Sequence, residues 1–183
     1  MLLSTRNNRT ILLGKYQAGD LHRLHSYLNK LGESTRKRFG PHAFDPDAIR
    51  EFYHSVGQTG YIATDYETGA IIAYAIIKNG MLLHDIPRLE QYGLIPDSEG
   101  DCSFAPSVAD DWQGCGVGDA LFRYILADIS SLGRKRIILW GGVQADNTKA
   151  VHYYHKNGFN TLGKFEYGGL NFDMVRSIEC HQP

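Results

Sequence analysis

The sequence contains little cysteine and no excess of charge of either sign. Its 183 residues include three cysteines, Cys102, Cys115 and Cys180. That odd number and its spacing indicate neither a disulfide framework nor a zinc cluster. Nineteen basic and 20 acidic residues give a formal net charge of −1, whereas nucleic-acid-binding proteins are usually distinctly basic. We therefore expect no metal site and no nucleic-acid partner.

Long hydrophobic runs are also absent from the sequence. The longest apolar run, residues 70–77, is far shorter than the ~20 residues that span a bilayer, and residues 1–8 have no apolar core for a signal peptide. A composition of 43% hydrophobic and 21% charged residues excludes disordered and collagen-like chains. We therefore expect a cytoplasmic globular protein without a membrane partner, with a single domain over residues 1–183.

Apolar residues at helical spacing predict several helices. Leucines recur after Asp20, a residue suited to a helix N-terminus, at Leu21, Leu24, Leu28 and Leu31. Asp45 and Pro46 predict the start of another helix, with one buried face formed by Ile49, Phe52, Tyr53 and Val56. Further helices are predicted over residues 119–132 and 148–156.

Segments rich in β-branched and aromatic residues predict the strands. A turn signal at residues 66–69 joins two of them into an antiparallel hairpin. Pro106 limits its strand to a bulged or unpaired place, because proline lacks the N–H group. Residues 79–100 are predicted to be a long irregular connection. The predicted strands cover residues 10–16, 60–65, 70–78, 102–109, 136–143, 159–165 and 169–178.

One strand-to-helix connection is rich in glycine, with Gly114, Gly116 and Gly118. Glycine permits positive φ and lets a ligand approach the backbone, and a helix N-terminus attracts phosphate. The Gly118-Asp119 sequence excludes a nucleoside-triphosphate loop, which needs Gly-Lys, and the glycine spacing is not that of a dinucleotide fingerprint. From these residues alone, a tight turn without a ligand explains the segment about as well as a phosphate site does.

The segment does fit the pattern Q-x-x-G-x-G through Gln113, Gly116 and Gly118. Residues 147–159 fit N-x-x-A followed by Y-x-x-x-G-F. Together, and in this order, the two motifs resemble the coenzyme A loop and signature helix of the GNAT superfamily of N-acetyltransferases. The resemblance covers residues 61–175 by order of elements. It implies an α/β (α+β) fold with a central mixed, mostly antiparallel sheet, splayed middle strands and flanking helices.

The resemblance implies an enzyme that transfers an acetyl group directly from acetyl-CoA to a primary amine of a small molecule or peptide. The strand residues Ser107 and Val108 would meet the thioester arm, with the Val108 N–H donating to the thioester oxygen. Asn147 would also contact the cofactor, although a helix N-cap explains this asparagine nearly as well. The loop residues that would hold the pyrophosphate are Gln113, Gly114, Cys115, Gly116, Val117 and Gly118.

Tyr154 aligns with the general acid of the family. A phenol beside a departing thiolate can give it a proton. The alternative is core packing, for which the adjacent Tyr153 is the better candidate from the sequence. Glu99, Asp101 and Ser103 lie at or before the central strand. Of these we take Glu99 as the general base, with a water relay as the alternative.

The connection between the first two helices borders the acceptor site in proteins of this family. The candidate substrate-binding residues there are Arg36, Arg38, Phe39 and His42, which suit an acidic or polar substrate; a solvated basic surface is the alternative. Asp110 and Cys115 stand where family members often carry proline and a basic residue. Two acidic residues, Asp110 and Asp111, are expected to weaken the local positive field for pyrophosphate.

Other functions remain open from the sequence. A chain with this loop could be a non-catalytic CoA-binding or interaction module, or it could transfer a longer acyl group. A catalytic thiol at Cys115, paired with a histidine, is less favoured, because a cysteine flanked by glycines in a phosphate loop is more often incidental. A strand at the sheet edge near the C-terminus would allow two copies to pair as a homodimer.

Overall fold

A computed structural model describes residues 1–178, and Cys180 lies outside this range. The described residues form nine strands and six α-helices. The strands are β1 (Leu2–Ser4), β2 (Thr10–Lys15), β3 (Gln58–Asp65), β4 (Ile71–Asn79), β5 (Asp101–Val108), β6 (Arg136–Leu139), β7 (Val143–Gln144), β8 (Asn160–Glu166) and β9 (Leu170–Ser177). The helices are α1 (Leu21–Lys30), α2 (Glu33–Arg38), α3 (Pro46–His54), α4 (Ile86–Gln91), α5 (Val117–Ser131) and α6 (Thr148–Lys156). Among these described helices, none combines the length and the apolar character that a membrane span requires.

The strands form one mixed sheet in the order β1-β2-β3-β4-β5-β6-β9-β7, with β8 paired to β9. β5 and β6 run parallel, in register from Asp101 opposite Arg136 to Phe104 opposite Leu139. β4 and β5 are antiparallel, because the Ala109 N–H donates to the Ile72 carbonyl while the Gly80 N–H donates to the Asp101 carbonyl. The mixed, mostly antiparallel sheet flanked by helices confirms the predicted fold class.

The residues group into two compact units. Unit 1 comprises Met1–Ile77 and Ala105–Ala127, and unit 2 comprises Lys78–Phe104 and the chain from Asp128 onward. Unit 1 therefore holds β1 to β3, most of β4, the end of β5, α1 to α3 and most of α5. Unit 2 holds the start of β5, β6 to β9, α4 and α6.

The helices of unit 1 follow the predicted pattern closely. The four leucines of the first helical pattern are buried. Asp45 caps α3 by accepting the Ala48 N–H at 2.9 Å, with Pro46 as the first helical residue. The prediction for Val56 is wrong, because α3 ends at His54 and Val56 is 98% exposed.

In unit 2, the prediction of an irregular connection over residues 79–100 is wrong in part, since that stretch contains α4. α4 buries Leu89 against Met81 and Ile138, and Arg88 pairs with the buried Asp173 carboxylate at 2.6 Å. Six residues are too few to show a helical period in the sequence. The strand predicted over 136–143 is interrupted, because Gly141 and Gly142 adopt positive φ values of 65° and 74°.

Candidate active site

The glycine-rich loop links β5 to α5 through a short 3-10 turn, Asp110–Trp112. Gly114 has φ of 76° and Gly116 has φ of 88°, values that side chains with a Cβ rarely adopt. The Gly116 carbonyl accepts the first helical hydrogen bond of α5, from Ala120 at 3.0 Å. A Cβ at Gly114 would meet no atom within 4 Å. The loop thus needs glycine for its backbone shape and leaves open space beside Gly114, as a phosphate cradle requires.

The end of β5 directs its N–H groups alternately to the two edges of the strand. Because the Ala109 N–H donates to Ile72 on β4, the Val108 N–H points to the opposite edge. Pairing with β6 runs only from Asp101 to Phe104, while β5 continues to Val108. Pro106 shares the orientation of Val108, so its missing N–H removes no bond to β4. The predicted unpaired place for Pro106 therefore has a geometric reason.

The N–H group of Ser107 points in the opposite direction to that of Val108. Its N–H faces β4, and its buried side chain accepts a hydrogen bond from the Tyr27 hydroxyl at 3.0 Å and donates to the Tyr74 carbonyl at 3.2 Å. The Val117 side chain is likewise fully buried. The structure therefore gives the Ser107 side chain a structural role and leaves only the backbone of Val117 for contact with a ligand.

Asp110 lies at the start of the loop and accepts hydrogen bonds from Gly32, Thr35 and Gln113. Its carboxylate receives the Gly32 N–H at 2.8 Å and the Thr35 hydroxyl at 2.7 Å. A weaker bond of 3.4 Å comes from the Gln113 amide, which also donates to the Val108 carbonyl at 3.3 Å. These donors offset part of the negative charge that the Asp110 carboxylate brings to the loop. The sequence does not reveal this arrangement, because Gly32 and Thr35 lie far from Asp110 in the chain.

The turn between β1 and β2 also contacts the glycine loop. The Arg6 N–H donates to the Cys115 carbonyl at 3.1 Å, and the Asn7 amide donates to the Cys115 sulfur at 3.4 Å. The Arg9 guanidinium carbon lies 3.3 Å from the centre of the buried Trp112 ring. Arg6 also pairs with Asp119 and Arg9 with Asp65, each at 3.7 Å, so these carboxylates offset part of the positive charge that the turn brings to the loop.

A cavity of about 540 Å³ opens beside α2; we call it the α2 cavity. Three of the four predicted substrate-binding residues, Arg36, Phe39 and His42, line it, and Arg38 does not. Phe39 is almost fully buried, and the Arg36 guanidinium lies 5.5 Å from the centre of the Phe44 ring. Lys37 and Glu33, which also line the cavity, pair at 2.6 Å. The cavity lining therefore contains aromatic rings and one arginine, Arg36, outside that ion pair.

His42 uses both ring nitrogens within the protein. Nδ1 lies 2.7 Å from the Ala43 carbonyl, which can only accept, so Nδ1 carries the proton. Nε2 of the neutral ring then accepts from the Tyr74 hydroxyl at 3.0 Å, and Tyr74 accepts from Tyr53. Burial lowers the pKa of His42, opposed by the Ala43 hydrogen bond and by nearby Asp45. His42 thus presents its ring, rather than a free nitrogen, to the α2 cavity.

Acidification should destabilise the fold in part through His42. Its folded pKa is below the ordinary value of about 6.5, so the unfolded chain takes up this proton more readily. The free energy of unfolding therefore falls as the pH drops below about 6.5. Thermal melting at pH 7.5 and pH 5 should show a larger loss for the unmodified protein than for His42→Gln. Equal losses in both proteins would contradict the assignment to His42.

Unit 2 carries Tyr154 on α6. Tyr154 is only 8% exposed and packs against Tyr153 and Phe159, with ring centres 5.4 Å apart in each pair. Its hydroxyl has no hydrogen-bond partner within residues 1–178, and no fully buried side-chain polar atom of those residues lacks a partner. The oxygen therefore retains some accessible surface. Burial raises the pKa of Tyr154. The expectation that Tyr153 packs better is wrong, because Tyr153 is only half-buried.

Two other predicted residues of unit 2 have local roles. Asn147 caps α6, its side-chain oxygen accepting the Ala150 N–H at 3.4 Å, which is the alternative role that the sequence allowed. Glu99 is exposed in the turn before β5. Its role as general base stays a prediction. Within residues 1–178, no three potential ligand side chains group as a metal site would need.

A model of the acetyltransferase (GNAT) family matches residues 24–159. The chain belongs to the GNAT family. A search of curated proteins finds no significant match. Among solved structures, the GNAT domain of S. lividans PAT is 22% identical, with a TM-score of 0.74 over 97% of this chain and 96% of that one.

Two further structures share the GNAT fold. A GNAT-family acetyltransferase from Streptococcus pneumoniae is 20% identical, with a TM-score of 0.67 over 92% of this chain and 99% of its own. The ribosomal-protein-S18-alanine N-acetyltransferase from Escherichia coli is 16% identical, with a TM-score of 0.63 over 92% and 94%. At these identities the likeness establishes the fold alone.

The predicted site residues are distributed over both units. The loop from Ser107 to Gly118 and the four substrate-binding candidates lie in unit 1, whereas Glu99, Asn147 and Tyr154 lie in unit 2. Within unit 1, Asp110 connects the loop to α2. The sequence signal for that link was weak, since Gly32 and Thr35 precede Asp110 by more than 70 residues.

Proposed function

We propose that this GNAT protein is an acetyl-CoA-dependent N-acetyltransferase that transfers the acetyl group directly to a primary amine of a small molecule or peptide. The observation that best supports this proposal is the glycine loop, in which Gly114 and Gly116 adopt positive φ directly before α5. Its open backbone and the helix N-terminus fit a pyrophosphate. The Val108 N–H, which points away from β4, adds a hydrogen-bond donor at the end of β5, two residues before the 3-10 turn.

Bound acetyl-CoA would supply an activated acetyl thioester. The loop from Gln113 to Gly118 would hold the pyrophosphate through backbone N–H groups, and Asn147 would contact the cofactor arm. The Val108 N–H would donate to the thioester oxygen, where negative charge develops as the amine attacks. Tyr154 would give its proton to the sulfur as the C–S bond breaks. Its raised pKa keeps the phenol protonated through the neutral range, so the proton is present when it is needed.

The acceptor amine would occupy the α2 cavity, against Phe39 and the His42 ring and near the Arg36 guanidinium. An arginine outside the Glu33–Lys37 ion pair favours an acidic or polar acceptor. The general base would be Glu99, with a water relay as the alternative. We also propose that the protein is cytoplasmic and forms a homodimer.

Calorimetry with acetyl-CoA and a thiol-release assay with a panel of primary amines test this function together. We expect binding and amine-dependent release of CoA. Binding without release for any amine favours the non-catalytic module, and the absence of binding contradicts the proposal. Offering longer acyl-CoAs under the same conditions tells acetyl transfer from transfer of a longer chain.

A further inference from the structure

Asp110 joins two parts of unit 1 that the GNAT motifs do not connect. Its carboxylate accepts the N–H of Gly32, the residue directly before α2, and the hydroxyl of Thr35 in its first turn. The same carboxylate lies beside the Gln113 amide, the first residue of the Q-x-x-G-x-G motif. One side chain thus holds both the start of α2 and the start of the glycine loop.

The contact at Gly32 is close as well as polar. A Cβ at Gly32 would lie 3.0 Å from an Asp110 carboxylate oxygen, tight enough to force one of the two to move. α2 in turn carries Arg36 and Lys37 on the wall of the α2 cavity. A shift of Asp110 would therefore be felt both at the loop and at the cavity wall.

We propose that Asp110 is a positioning residue that ties α2 to the glycine loop, so that acetyl-CoA bound at the loop orders the wall of the α2 cavity. Because this rests on the proposed function, it needs a readout that is separate from turnover. Coupling of this kind is reciprocal, so order at α2 also favours acetyl-CoA binding.

A neighbouring residue provides a matched control. Asp111 is exposed and has no hydrogen bond or ion pair within residues 1–178, so Asp111→Asn removes the same charge without removing an anchor. If charge alone mattered, both Asp110→Asn and Asp111→Asn would bind acetyl-CoA more tightly, by about twofold. If Asp110 positions the loop, Asp110→Asn should bind about tenfold more weakly, while Asp111→Asn shows no loss.

Calorimetry with acetyl-CoA and hydrogen exchange at residues 32–39 and 113–118 test the proposal. Acetyl-CoA should slow exchange in both segments of the unmodified protein and of Asp111→Asn, and only in the loop of Asp110→Asn. Thr35→Val, which removes one donor and keeps the charge, should reproduce part of the effect. Asp110→Asn binding as tightly as Asp111→Asn, or no protection of α2 in the unmodified protein, would overturn it.

A failure of the proposed function gives a different result. If the unmodified protein does not bind acetyl-CoA, the proposed cofactor is wrong. The link that Asp110 makes between α2 and the loop is then tested by hydrogen exchange in the free protein. There Asp110→Asn should speed exchange in both segments at once. Faster exchange in α2 alone, or in neither segment, would overturn the tie.

Discussion

Replacing Gly116 by valine is expected to lower the affinity for acetyl-CoA by about 10²-fold while the fold persists. Gly116 has φ of 88°, which a β-branched residue does not readily adopt, so the loop must change shape. Its Cβ would have room, since the nearest atoms, from Arg6, lie 3.6 Å away. The loss is therefore one of backbone geometry, equivalent to one or two charge-assisted hydrogen bonds to phosphate.

Gly133→Val is the matched control. Gly133 follows the other end of α5 with φ of 74°, and a Cβ there meets no atom within 4 Å. Both variants therefore carry a similar backbone cost, and melting temperatures should fall by similar amounts. Calorimetry should show lost affinity only for Gly116→Val. Unchanged affinity in that variant would mean that the loop does not hold the pyrophosphate.

Tyr154→Phe is expected to lower kcat by about 10²-fold, which is the lower end of what a positioned acid contributes. The phenol oxygen has no hydrogen-bond partner within residues 1–178, so its removal should leave α6 packed as before. Acetyl-CoA affinity should change little, because the hydroxyl acts mainly in the transition state. Steady-state rates with an identified acceptor amine, together with calorimetry, check both parts.

Tyr153→Phe is the control, since it keeps a ring of the same size on the same helix. Equal activity of the two variants, or a slow Tyr153→Phe, would rule out Tyr154 as the acid. The pH profile adds a second criterion. Because burial raises the pKa of Tyr154 above its ordinary value near 10, loss of the acid should not reduce kcat below about pH 10. A limb near pH 8 or 9 that Tyr154→Phe abolishes would contradict this environment for the phenol.

Much of the fold was predictable because local patterns and packing agree. The leucine spacing of α1, the cap at Asp45 and the turn at residues 66–69 each determine structure over a few neighbouring residues. Short elements were not predictable. β1 has three residues and α4 has six, so neither shows a hydrophobic period, and both depend on partners far along the chain.

The candidate site likewise has parts that the sequence predicts and parts that it does not. The glycine loop and the signature helix are contiguous in sequence, so their motifs could be recognised. The anchoring of Asp110 by Gly32 and Thr35 could not, because it joins residues far apart in the chain. From the sequence, Asp110 was only a charge unfavourable to phosphate. Its hydrogen bonds depend on where α2 lies, which composition and spacing do not specify.

The stacking of Arg9 on Trp112 gives the protein an internal optical reporter. Trp112 is buried, directly precedes Gln113 and has a guanidinium against its ring, and indole emission depends on nearby charge. The sequence has one other tryptophan, Trp140, so Trp140→Phe would leave Trp112 as the single tryptophan, whose emission can be excited apart from that of the tyrosines. Titrating such a protein with acetyl-CoA would follow events at the loop in real time, without a label and without knowledge of the acceptor.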